Sequence, residues 1–283
     1  MKKQIVTIAA LAMSLNMFAQ QWPVPNQEAK PGTRWWWLGS AVTENDLKWN
    51  LRQFADHGIG AIEITPIYGV QGNEKNNIPF LSPRYMDILK YVNAECKADG
   101  IEFDMATGTG WPFGGPWVPL DESASQMLII DTTVVGKKIK ALDLRPIEKK
   151  RKNTTLVGIY AFSEGKFLKI TTPLVEGTLT TKLPSKGTWR IIALYQKKGV
   201  MAVKRAAPGG AGLVIDHFDK QAVTNYLKHI EEAFEKTGTP YPHTFFNDSY
   251  EVSESEILGC LVMISTSTSV GTKGRLSAGR LAK

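Results

Sequence analysis

The sequence predicts an α/β fold, an incomplete (β/α)8 TIM-barrel of which about the first four strands are present, interrupted by a β-rich inserted subdomain. Three observations predict it. Short apolar runs alternate with amphipathic stripes of helical period. Each apolar run is followed by a polar or glycine-rich stretch. From about 121 to 205 the helical period disappears and strand-like segments take its place.

The apolar runs are 34–38, 59–64, 101–106 and 244–246. They are nearly continuous in apolar residues, as strands buried on both faces of a helix-covered parallel sheet are. The stretches that follow them (39–40, 65–72, 107–115 and 247–251) would then gather at the C-terminal edge of the sheet, the edge that carries the active site in barrels of this kind. Between the runs lie three helices with start and stop signals. Thr43 caps the first, Leu47, Leu51 and Phe54 share a face, and Gly58 ends it. Ser82-Pro83 opens the second, with Tyr85, Leu89, Val92 and Cys96 as its stripe and Gly100 as its stop. Asp219 caps the third, Val223, Leu227, Ile230 and Phe234 form its stripe, and Gly238 closes it.

The insert reads as strands at 127–135, 156–162, 167–171 and 189–196, with Glu164-Gly165 as a hairpin turn. The expected organisation is a signal peptide at 1–19, the first half of a barrel at 20–120, the β-rich insertion at 121–205, a barrel continuation at 206–252, and an aberrant or disordered tail at 253–283. A closed barrel needs eight strands and typically about 250 residues, so four strands predict a truncated barrel. The tail has no aromatic residue and contains the low-complexity run Ile264-Ser265-Thr266-Ser267-Thr268-Ser269-Val270. A shifted reading frame near Val252 would produce such a tail, and so would a natural disordered terminus.

Lys2 and Lys3, the apolar run 5–13 and Ala19 have the layout of an export signal, which predicts a periplasmic or secreted protein with no membrane span after cleavage. The net charge is +7. Lys2 and Lys3 supply +2 of it and the tail another +2, leaving +3 for residues 20–252, too little to argue for nucleic acid. The basic cluster at 137–152 lacks interleaved aromatics and reads as a solvated loop or hairpin. Cys96 and Cys260 form no disulfide framework, and no motif with metal-ligand spacing occurs.

Six of the eight tryptophans fall between Trp35 and Trp117, which concentrates flat apolar faces on the first strand and on the loop after the third. Strand alternation sends Trp36 to one face and Trp35 and Trp37 to the other. Trp35 and Trp37 are expected to fill core. Trp111, on the loop 107–117, is the best candidate for packing against the C–H face of a sugar ring, with Trp36 as a second substrate-binding residue. Glycosidic cleavage needs two carboxyl groups, and the 244–251 segment ends in two, Asp248 and Glu251. Asp248 would orient a substrate hydroxyl or cap a turn. Asp104 and Glu63 lie inside apolar strands and need either a partner or a function. His217, between Asp216 and Asp219, is a ligand contact or a cap-region histidine. The Ser-His-Asp order, the GxSxG elbow and a dinucleotide loop find no support.

Taken together, Pro31-Gly32-Thr33-Arg34-Trp35-Trp36-Trp37, Gly60-Ala61-Ile62-Glu63-Ile64, residues 104–115 and Phe246-Asn247-Asp248-Ser249-Tyr250-Glu251 resemble glycoside hydrolase family 106 over roughly 22–252. The resemblance implies a (β/α)8 catalytic domain and an inverting α-L-rhamnosidase that uses a calcium ion and acts on rhamnose-containing oligo- or polysaccharides. It implies Glu251 as general acid, with the base supplied by a later strand, and no calcium ligand carries over residue by residue. On that reading this chain alone would be inactive. The competing reading is a secreted, non-catalytic carbohydrate-binding protein.

Overall fold

The computed structural model describes residues 25–247 and 251–252. The export signal, the 253–283 tail, Asp248 and Cys260 lie outside the described residues. In chain order the regular elements are β1 (Gly32–Leu38), α1 (Glu44–Asp56), β2 (Ala61–Ile67), α2 (Pro83–Asp99), β3 (Glu102–Ala106), β4 (Gly114–Gly115), β5 (Ser125–Val135), β6 (Lys138–Asp143), β7 (Thr154–Ser163), β8 (Lys166–Ile170), β9 (Thr178–Lys182), β10 (Thr188–Lys198), β11 (Leu213–Val214), α3 (Lys220–Thr237) and β12 (Thr244–Phe246). The architecture is mixed α/β, with few helices and many strands.

The four apolar runs become one parallel sheet in the order β1-β2-β3-β12. Each strand before β12 neighbours its successor in the sheet, and a helix follows each of the first two. Trp37, Ile62, Ile64, Phe103 and Met105 point to the helix side and join Leu47, Leu51, Leu89, Val92, Ile230 and Phe234 in one core. Burial of an apolar face of this kind is the main favourable term holding the layers together, at roughly 25 cal/mol per Å² removed from water.

The helix boundaries follow their capping chemistry. The Thr43 hydroxyl accepts from the Asp46 amide and donates to its carboxylate at 2.7 Å. Ser82 caps α2 ahead of Pro83, and Gly100 ends it in the left-handed region at φ 65°. Asp219 accepts from the amides of Gln221 and Ala222 to start α3, and Gly238 ends it at φ 63°. Cys96 is fully buried on α2, and burial pushes its thiol up to about 12, so it behaves as a small hydrophobe.

The apolar stripe expected on α3 needs correction. Leu227 is 44% exposed, and the buried face is Ala222, Tyr226, Ile230 and Phe234. The reason is the Tyr226 hydroxyl, which donates to the Thr107 carbonyl at 2.7 Å and turns that side of the helix inward.

Residues 125–198 form a second sheet, antiparallel, in the order β5-β10-β7-β8. Glu164-Gly165 is the two-residue turn between β7 and β8, with Gly165 at φ 73°. One face of this sheet packs on the two-stranded β6–β9 ribbon around Trp189, Ile191, Ile159, Leu179 and Ile139. The basic cluster at 137–152 is therefore not simply a loop or hairpin on the surface. Its first part is strand β6, and Ile139, between exposed Lys138 and Lys140, is buried by β9. Tyr195 ties this core shut by donating to the Leu144 carbonyl at 2.7 Å.

The two ends of this segment are held against each other. β4 and β11 pair at Gly115↔Leu213, and Ser123 bridges Ile215. The Lys198 ammonium lies 3.5 Å from the buried Asp216 carboxylate, which also accepts from the Phe218 amide.

Candidate functional site

The C-terminal edge of the parallel sheet is built by the loops after β1, β2 and β3 and by the returning segment 202–210. On β1 the alternation predicted from sequence is present. Trp37 is buried and Trp35 packs beside it, edge-on at 5.8 Å, while Trp36 projects from the opposite face with 42% of its surface exposed. The loop after β3 brings Trp111 to it. The two indoles meet edge to face, centroids 5.7 Å apart and planes at 89°, forming an aromatic corner.

Trp111 is fixed by backbone. Its amide donates to the Lys204 carbonyl at 3.2 Å, and the Lys204 amide returns a bond to the Trp111 carbonyl at 3.1 Å. Gly110 makes this approach possible. At φ 135°, a Cβ at that position would sit 2.3 Å from the Lys204 carbonyl oxygen. Beside the corner, the Arg205 guanidinium donates to the Tyr68 hydroxyl at 3.1 Å and lies over its ring at 5.4 Å. Sequence reasoning missed Tyr68 and Arg205. Tyr68 was open to the same argument that selected Trp111, an aromatic on a strand-end loop, but Arg205 carries no local signal.

The face of the sheet turned away from the helices carries a charged row. Register aligns Arg34, Glu63, Asp104 and Thr244 across the four strands. Arg34 Nε is 3.2 Å from Glu63 Oε1, which also accepts from the Thr65 hydroxyl at 2.8 Å. Asp104 meets His243 Nδ1 at 3.2 Å. Both strand carboxylates singled out in the sequence thus have partners. Arg34 also lies over the Phe246 ring at 4.8 Å, tying the first strand of the sheet to the last.

The other predicted residues separate. Glu251 is exposed and makes no ion pair among the described residues. His217 holds the Ile215 carbonyl at 3.1 Å and stacks on Phe113, and burial lowers its pKa below that of an ordinary histidine. The cap of α3 itself is made by Asp219. The described residues gather no group of three or more His, Cys, Asp or Glu able to hold a metal ion, so a calcium site cannot be drawn from them, and no step is derived through one.

A family model described as alpha-L-rhamnosidase, glycoside hydrolase family 106, matches residues 23–156, a stretch that holds β1 to β3, both indoles of the corner and Glu63 and Asp104. This segment is similar to glycoside hydrolase family 106. By resemblance this segment is glycosidase-like. A curated relative from Formosa agariphila, provisionally named a beta-glucuronidase, is 25% identical over 274 residues, covering 81% of this chain and 23% of that protein. The chain therefore spans about a quarter of the length of that relative. Among solved structures, a rhamnosidase from Novosphingobium sp. PP1Y is similar with a TM-score of 0.49 and 14% identity, over 75% of this chain and 37% of the other. No helix among the described residues is long and apolar enough to cross a membrane.

Proposed function

We propose that this chain serves the hydrolysis of terminal α-L-rhamnosyl linkages, with the sugar received at the C-terminal edge of the parallel sheet. The observation that carries the proposal is the Trp36–Trp111 corner. It places two indole surfaces at right angles on the strand ends, where the C–H face of a deoxyhexose packs against one ring while the other closes the side. The four parallel strands are read as consecutive strands of a (β/α)8 barrel interrupted by the insert, since each neighbours the next parallel strand and the helices cover one face.

In this reading Glu251 is the general acid, protonating the leaving oxygen, and Asp248 orients a substrate hydroxyl. An inverting partner carboxylate would lie roughly 6.5–9.5 Å from it and activate a water held between the two. Arg34 and His243 keep Glu63 and Asp104 engaged, which leaves these two to shape the floor of the site. Calcium and an exported, periplasmic or secreted location belong to the same proposal.

The test is a calorimetric titration with L-rhamnose and, separately, D-glucuronate, the sugar suggested by the name of the Formosa relative. Rhamnose is expected to bind the better of the two, and Trp111→Ala to weaken it at least about tenfold, as truncation of a buried aromatic anchor does. Equal rhamnose affinity in W111A, or a preference for glucuronate that W111A abolishes, overturns the assignment. Glu251→Gln distinguishes catalysis from binding. In the hydrolase reading, in a chain that also carries the partner carboxylate, it slows hydrolysis of an alkyl rhamnoside, whose leaving oxygen needs the proton, far more than that of a nitrophenyl rhamnoside, and leaves rhamnose affinity in place.

A further inference from the structure

The antiparallel sheet carries a groove of about 790 Å³ that shares no lining residue with the strand-end loops. Its floor belongs to the outward face of β5, β7, β8 and β10, and its walls are the β7–β8 turn and the 185–188 loop. Phe162 and Phe167 face each other across the hairpin register, centroids 5.1 Å apart, and Tyr160 stacks on Phe167 at 5.8 Å and 14°.

A cross-strand aromatic pair stabilises a hairpin, and that accounts for Phe162. It does not account for Phe167, which leaves 62% of its surface in water. Isolated exposed apolar side chains are ordinary, but three touching rings beside a concavity form a platform. The polar surroundings are cationic. Arg190 is already engaged by Asp131 through a forked ion pair. Lys166 reaches only the Ser185 hydroxyl, at 3.4 Å, and Lys186 makes no ion pair among the described residues. Lys169 shares the face of Phe167 by strand alternation. Three lysines thus stand against the single carboxylate of Glu164. A flat ring face, hydroxyl-bearing walls and lysines without carboxylate partners suit an acidic pyranose, with its C–H face on the ring and its carboxylate between the ammonium groups.

We propose that this groove is a second carbohydrate site that takes a uronic-acid-containing oligosaccharide, with Phe167 as its platform and Lys166 and Lys186 as its carboxylate partners. The choice of a glycan rests on the carbohydrate reading above, while the charge and ring geometry stand apart from it. In this role the insert holds an acidic polymer while the strand-end site works on a different sugar of the same chain.

The experiment titrates the full 283-residue chain with a galacturonate trimer and with its methyl-ester counterpart, and repeats the rhamnose titration in parallel. The trimer is expected to bind better than the ester, with an affinity that falls as salt rises. Phe167→Ala and the double variant Lys166→Ala/Lys186→Ala are each expected to lose at least about tenfold in affinity, whereas Trp111→Ala leaves trimer binding unchanged. All these positions are exposed or partly exposed. Should F167A fail to fold, as judged by circular dichroism, the lysine double variant carries the test. Absence of trimer binding, equal binding in both groove variants, or a concentration-dependent dimer that F167A abolishes would overturn the proposal. Trimer binding without rhamnose binding sinks only the strand-end reading, and the reverse sinks only this one.

Discussion

The parallel and antiparallel sheets of this chain each bury one face, yet they put their exposed chemistry in different places. The parallel sheet joins its strands through helices, so the chain leaves every strand at the same edge, and long loops accumulate there. Trp111, Tyr68 and the segment around Arg205 meet at that edge. The antiparallel sheet joins β7 to β8 in two residues. A turn that short presents little beyond its own backbone, so aromatic and charged groups stand on the sheet face instead, as Tyr160, Phe167 and Lys169 do. The way strands are connected decides whether exposed aromatic and charged groups gather at an edge or on a face.

This comparison breaks most easily at the two cores. Trp37→Ala and Trp189→Ala each remove a fully buried indole, and each is expected to cost about 3–5 kcal/mol. If the two sheets unfold as separate cooperative units, W189A lowers one urea transition followed by far-UV circular dichroism and leaves the other in place. One shared transition, shifted equally by both variants, would show the two cores to be energetically a single body.

A smaller effect is expected where the segments join. Lys198→Met leaves the Asp216 carboxylate buried without its cation and is expected to cost about 3 kcal/mol. Asp216→Asn keeps an acceptor for the Phe218 amide and should cost less. The order of their urea midpoints checks the claim that the charge of Asp216, rather than its hydrogen bonding alone, requires Lys198.

The smallest effect is expected from His217. Burial lowers its pKa, so the folded chain resists a proton that the unfolded chain accepts near its ordinary pKa of about 6.5. The stability it permits is complete above that pH and is lost as pH falls toward the depressed value. His217→Gln should therefore flatten the drop in urea midpoint between about pH 7.5 and about pH 5.5. An unchanged drop would assign it to other groups.

Much of this arrangement was legible in the sequence. The capping residues Thr43, Ser82 and Asp219, the stops at Gly100 and Gly238, and the four apolar strand runs all act through local chemistry, which a sequence displays directly. Strand alternation placed Trp36 opposite Trp35 and Trp37. Features that depend on distant partners stayed hidden. The inward face of α3 is set by a carbonyl more than a hundred residues away, and β6 becomes a strand only because β9 pairs with it. Arg205 gains its place beside Tyr68 through the return of the chain from the insert, which no local pattern encodes.

The reciprocal bonds between Trp111 and Lys204 leave the antiparallel excursion as a replaceable cassette. With both ends laced together at Gly110, and again at β4 and β11, the ring that must be held still does not sense how much chain lies between. Lengthening such an excursion costs only about 0.6 kcal/mol per doubling in closure entropy. The length and content of the excursion can therefore change with little effect on how the Trp36–Trp111 corner is held.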